Sequence, residues 1–168
     1  MRWIGSAHHS GQHGRWKALH YYARRFYADL LASTSEQDGQ VVVTLVSDRT
    51  TALPAELLLR LRDFAGAVLW EERKSVEVAP LASLAVLSVE RETLLAGRDP
   101  RAVFLQVELL VAGKAVASNL RFFVPPKKLA LQKPTIAAEV STEGGGFRIR
   151  LSTDKLARHV RLAYDDAD

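Results

Sequence analysis

From Gln40 to Val124 apolar residues recur at every second position, in runs separated by turn-forming residues, and this period of two restricts the chain to a layered β structure. Residues 41–47 place Val41, Val43 and Leu45 on one face and Val42, Thr44 and Val46 on the other, which suits a strand covered on both sides. Ser47, Asp48, Arg49 and Thr50 form the turn. Residues 55–64 set Leu57, Leu59 and Leu61 inward and Glu56, Arg60 and Arg62 outward. Leucine also favours helix, but strict alternation selects strand. Residues 67–70 and 75–78 read as one strand interrupted by Glu71, Glu72, Arg73 and Lys74, or as two short strands, and Pro80 closes them. Residues 83–90 follow, then a loop at Gly97, Arg98, Asp99 and Pro100. Residues 103–111 and 114–124 make the clearest hairpin, around Ala112 and Gly113. Six or seven strands without a helical interlude predict an antiparallel β-sandwich of immunoglobulin type.

One segment departs from this period. In residues 14–31, Trp16, Leu19, Ala23, Phe26 and Leu30 fall at three- and four-residue intervals, the stripe of an amphipathic helix. Arg15, Lys17, Arg24, Arg25 and Asp29 lie mostly off the stripe. Ser33, Thr34 and Ser35, followed by Gly39, are expected to end the element. The stripe needs a cover, so these five residues are candidates for a domain interface.

Past the sandwich, Pro125, Pro126, Lys127 and Lys128 read as a linker, because paired prolines do not continue a ladder. A strand at residues 135–141, a turn at Gly144, Gly145 and Gly146, alternating Phe147, Ile149 and Leu151, and an apolar stretch at 160–164 give about three strands. That is too few for a core. The expected domains are residues 1–35 (loop and helix), 36–125 (sandwich), 126–134 (linker) and 135–168 (the start of a truncated second sandwich). Both ends are expected to be interior positions of something longer.

Residues 1–32 carry five basic side chains against Asp29, and the rest of the chain balances to zero, so the net charge of +4 belongs to the helix and its lead-in. Bulk charge therefore does not make the sandwich a polyanion binder. Basic Arg15, Lys17, Arg24 and Arg25 beside Tyr21 and Tyr22 lack a recognition motif, and no nucleic-acid partner is expected. No apolar run reaches membrane-spanning length, and the N-terminal residues lack the apolar run of a signal peptide; the chain reads as soluble, with its compartment open. The absence of cysteine excludes disulfides, thiolate metal sites and cysteine nucleophiles. His8, His9 and His13 have partial metal-ligand spacing, but Gly11 and Gly14 oppose a helix and no carboxylate is near, so neither a metal nor a cofactor is expected.

The run GRWKALHYYARRFYADLL, the sandwich ending in NLRFFVPPKKLALQKP, and GGGFRIRLSTDKLARHVRL together resemble the C-terminal region of β-mannosidases of glycoside hydrolase family 2. The resemblance implies that the first run is the last helix of a catalytic (β/α)8 barrel and that the PPKKL segment joins an immunoglobulin-like domain to a final sandwich. It also implies a retaining mechanism using two glutamates at barrel-strand ends. This chain has no barrel strands, and Glu36, Glu56, Glu71, Glu72 and Glu77 match no catalytic motif, so no catalytic residue is assigned and the chain alone is expected to be inactive.

The leading expectation is a non-catalytic accessory portion that packs on the upstream barrel of a hydrolase acting on terminal β-D-mannosyl residues. The alternative is a free-standing carbohydrate-binding module, for which Trp70 is the candidate sugar contact, with Tyr164, Tyr21, Tyr22 and Tyr27 as further aromatics. Without its barrel, the helix stripe is expected to fold back on the sandwich or to drive self-association.

Overall fold

The computed structural model describes residues 27–143, 146–158 and 160. Nine strands are present among them: β1 (Leu30–Gln37), β2 (Gln40–Ser47), β3 (Leu53–Asp63), β4 (Val68–Val78), β5 (Ala82–Glu90), β6 (Val103–Val111), β7 (Lys114–Phe122), β8 (Ile136–Glu143) and β9 (Gly146–Thr153). A five-residue helix, α1 (Arg91–Leu95), and a 3₁₀ turn at Pro126–Lys128 complete the elements. The strands form a three-stranded sheet ordered β1-β2-β5, a four-stranded sheet ordered β4-β3-β6-β7, and the separate hairpin β8-β9. The chain is mainly β with an immunoglobulin-like domain, as the alternation predicts.

Two differences from the sequence reading stand out. Most of the expected helix, with Trp16, Leu19, Ala23 and Phe26, lies outside the described residues, as do His8, His9 and His13. Its expected end is corrected: Leu30 and Leu31 open β1, and Ser33, Thr34 and Ser35 continue that strand instead of terminating a helix. The cause is tertiary. β1 pairs with β2 along its whole length, from Leu30 opposite Ser47 to Gln37 opposite Gln40. The turn between them, Asp38-Gly39, has positive φ at both residues (50° and 75°), the backbone whose twist matches that of the flanking strands. Ala112 and Gly113 repeat it between β6 and β7, with φ of 48° and 76°. The second difference is that the charged run at 71–74 does not break its strand, and β4 is continuous.

The described residues form two compact units. The first takes residues up to 58, 73–91 and 107–119; the second takes 59–72, 92–106 and 120 onward. In the first unit Val41, Val43 and Leu45 of β2 are buried, with Leu57, Leu58, Val78, Val107 and Leu109 from the other sheet. Fully burying one such side chain contributes roughly 1.5–3 kcal/mol, so this layer is the unit's main source of stability. Two hydrogen bonds join the edges of its sheets: Asn119 Nδ2 on β7 donates to the Ala32 carbonyl on β1 at 3.0 Å, and Lys74 Nζ on β4 donates to the Val86 carbonyl on β5 at 2.8 Å. Each gives an edge-strand acceptor a partner from the opposite sheet. Among the described residues one polar side chain is buried, that of Ser47, and it accepts from the Arg49 amide at 3.2 Å.

In the second unit Leu59, Leu61, Leu105 and Val103 are buried, and α1 adds Leu94 and Leu95. This helix was not expected from the sequence. Its five residues are too few to form a helix alone, so the burial of its two leucines holds it.

Candidate functional site

The second unit contains the elbow where the chain leaves the sandwich for the final hairpin. Pro125 sits in extended polyproline geometry, and the Lys128 and Leu129 amides donate back to the Pro125 and Pro126 carbonyls at 2.8 and 3.3 Å, which turns the chain. The segment is then fastened to the loop before β6. The Ala130 amide donates to the Arg101 carbonyl at 2.8 Å, and Arg101 Nε donates to the Lys128 carbonyl at 3.3 Å. Composition alone reads 126–134 as a free linker, but these bonds tie its first half down.

A second strand of contacts returns after β9. The Leu156 amide donates to the Phe64 carbonyl at 2.7 Å, and the Arg158 guanidinium lies 4.4 Å from the centre of the Phe122 ring. Phe122 belongs to a triangle of rings with Phe64 and Phe104, whose centroids lie 6.0–6.5 Å apart. The base of the hairpin is closed by Asp154, whose Oδ1 accepts from the Thr135 amide at 2.7 Å. That hydrogen bond holds the Asp154 carboxyl below its ordinary value. Between these two tethers runs an open groove of about 720 Å³ with Leu131, Ile136, Leu156 and Val160 among its apolar walls and Lys133 and Arg158 among its polar ones.

The β8-β9 hairpin itself is two-faced. Its register sets Ala138 opposite Leu151 and Val140 opposite Ile149 on one face, and Glu139 opposite Arg150 on the other. Val140, Ile149 and Leu151 are exposed, so the apolar face lacks a covering layer among the described residues.

The structure disperses the carboxylates. Glu56 meets Arg73 at 3.1 Å, Glu71 meets Arg60 at 2.7 Å and Glu36 meets Arg91 at 3.5 Å. Such exposed pairs organise a solvated surface rather than poise an acid beside a nucleophile. Among the described residues no group of three or more His, Asp or Glu side chains gathers as a metal site. Trp70 is half-buried on β4, and alternation puts it on the strand face opposite Glu71. Leu30, the one described member of the proposed interface stripe, is buried at the start of β1. The elbow contacts of Arg101, Leu156 and Arg158 were not singled out in the sequence, because each depends on a partner distant in the chain.

Comparison with known proteins bears on this arrangement. A family model described as a mannosidase Ig/CBM-like domain matches residues 39–128, and one described as an Ig-fold domain matches residues 131–168. The beta-mannosidase of Rattus norvegicus is 46% identical over 48 residues, which is 29% of this chain and 5% of that protein. Among solved structures, the beta-D-mannosidase from Dictyoglomus thermophilum superposes with a TM-score of 0.78 at 19% identity, over 91% of this chain and 19% of that one. A putative beta-galactosidase from Bacteroides fragilis reaches only 0.40 at 14% identity, over 72% and 18%. The chain thus spans a fifth or less of the relatives' lengths.

Proposed function

The chain belongs to the family of mannosidase Ig/CBM-like domains, and from that premise we propose that it is a non-catalytic accessory portion of a β-mannosidase-like glycoside hydrolase. The observation that carries the reading is the pair of successive family matches, 39–128 and 131–168, which meet within an elbow fastened by hydrogen bonds. The fold likeness to a solved mannosidase over 91% of the chain supports it.

In this reading residues 36–125 are the sandwich next to a catalytic barrel, 126–134 the elbow, and 135–168 the opening of a final sandwich. The parent enzyme removes terminal β-D-mannosyl residues by double displacement. One carboxyl protonates the leaving oxygen and another forms the glycosyl intermediate, and both belong to the barrel. This segment contributes rigidity and placement. Each glutamate that meets an arginine above would have to leave that partner before acting as acid or nucleophile.

The test is an assay of the purified 168-residue chain with an aryl β-mannoside, beside affinity electrophoresis in mannan. The expected result is no turnover and no retardation. Turnover that survives further purification would refute the accessory reading, and retardation abolished by Trp70→Ala would establish the binding-module alternative instead.

A further inference from the structure

The β8-β9 hairpin is ordered without a core of its own. Among the described residues no side chain beyond Phe123 is buried, and residues 136–142 of β8 and 148–153 of β9 are exposed throughout. A two-stranded hairpin on its own is at best marginally stable in water. Val140, Ile149 and Leu151 add little to this one, because they stay wet after the strands pair. What burial there is lies at the roots: Leu129, Ala130 and Pro134 before β8, and residues 155–158 after β9, are half-buried.

The roots are also where the hydrogen bonds gather. Thr135 and Asp154 hold each other in both directions, the Thr135 amide donating to Asp154 Oδ1 at 2.7 Å and the Asp154 amide to the Thr135 carbonyl at 3.4 Å. Directly after them the Leu156 amide reaches the Phe64 carbonyl at 2.7 Å, and the Arg158 guanidinium lies 4.4 Å from the centre of the Phe122 ring. Phe64 and Phe122 are neighbours in one aromatic triangle, so both contacts land on the same platform. On the other root the Ala130 amide is held by the Arg101 carbonyl. A chain fixed at both roots has already lost much of the freedom that strand pairing would otherwise have to overcome.

We propose that residues 155–158 form a strap that makes the folding of the hairpin conditional on the Phe64-Phe104-Phe122 cluster: β8 and β9 pair while the strap is engaged and separate when it lets go. Residues 131–158 are then an extension of the second unit and not an independently folding domain of this chain. Release of four residues converts an ordered hairpin into open chain. The strap consists of this chain's own contacts and acts whether or not a barrel precedes it.

Hydrogen exchange of the full 168-residue chain, resolved by peptide in mass spectrometry, compares the parent with Arg158→Ala and with Arg158→Ala combined with Leu156→Pro. Proline removes the amide that bonds Phe64. Hairpin peptides should exchange about threefold faster in Arg158→Ala and at least about tenfold faster in the double variant, while β2 and β6 stay within about twofold of the parent. Lys133→Ala, in the groove wall but outside the strap, should leave the hairpin unchanged. Hairpin exchange in the double variant within about twofold of the parent would overturn the proposal, because the hairpin would then hold itself. An equal rise in β2 and β6 would also overturn it, since the contacts would then support the whole fold and no strap. So would a parent hairpin that exchanges as fast as an unstructured peptide.

Discussion

Replacing Asn119 tests whether the sandwich is closed along the β1/β7 edge as described. Its Nδ2 donates at 3.0 Å to the carbonyl of Ala32, 87 residues away in sequence. A neutral hydrogen bond contributes roughly 0.5–1.5 kcal/mol, and an acceptor left without a donor costs roughly 1–3 kcal/mol when sealed from water. The site is only part-buried, so water can replace the lost donor. Asn119→Ala should therefore cost about 1 kcal/mol, or about 4–8 °C in Tm for a domain of this size. Asn119→Asp keeps the shape but turns an oxygen towards the Ala32 carbonyl, and should cost about 2 kcal/mol or more. Lys74→Ala, at the exposed counterpart on β4, should cost about 0.5 kcal/mol or less. Urea unfolding with comparison of m values measures all three, and hydrogen exchange should rise in β1 more than in β6 for the Asn119 variants. If aspartate proves as stable as asparagine, or both variants match the parent within about 0.3 kcal/mol, the inter-sheet bond is not a source of stability and the reasoning fails.

Gly39→Ala should cost about 1–2 kcal/mol in thermal unfolding although an added Cβ meets nothing within 4 Å, because φ is 75°. Conversely, Ala112→Asn should stabilise by about 0.5–1 kcal/mol in urea titration, since asparagine tolerates the φ of 48° that alanine is forced to adopt. Arg158→Ala should lose a cation–π contact of about 0.5–1 kcal/mol and speed exchange of the Leu156 amide, while Arg158→Lys keeps part of it. For Asp154 the folded carboxyl lies below its ordinary value, so its contribution is present above the unfolded value and is lost as pH falls through the folded one. The Thr135 amide signal, followed by NMR below about pH 4, should shift with that titration, and Asp154→Asn should remove the shift.

The residues that misled a reading by periodicity are instructive. LLASTSEQ is a weak strand by pattern: Leu30 fits the helical stripe before it, and the serines look like a helix stop. A stronger local signal stood next to it, since Asp38-Gly39 before an alternating run is a favoured two-residue hairpin turn, and a hairpin there requires a partner strand on its N-terminal side. The β6-β7 hairpin was legible because both its flanks alternate; β1 was not, because Thr34 and Glu36 share the face of buried Val43 and Val41 without being apolar. β4 stayed continuous through four charges for a related reason: Glu71 and Arg73 find Arg60 and Glu56 across the sheet, so charge on that face is satisfied rather than disruptive.

The elbow was illegible in a different sense. Leu156 binds the Phe64 carbonyl through its main chain, and no side-chain pattern announces a backbone bond across ninety-two residues. Arg158 reads as one more surface cation until Phe122, Phe104 and Phe64 are brought under it. What the sequence could have offered is a negative signal: outer positions of β1, β2 and β5 that, Glu90 apart, carry no charge. Seeing that pattern requires knowing which residues share a face. Once β1 is a strand, Ser33 and Thr44 become neighbours and the uncharged patch extends across three strands.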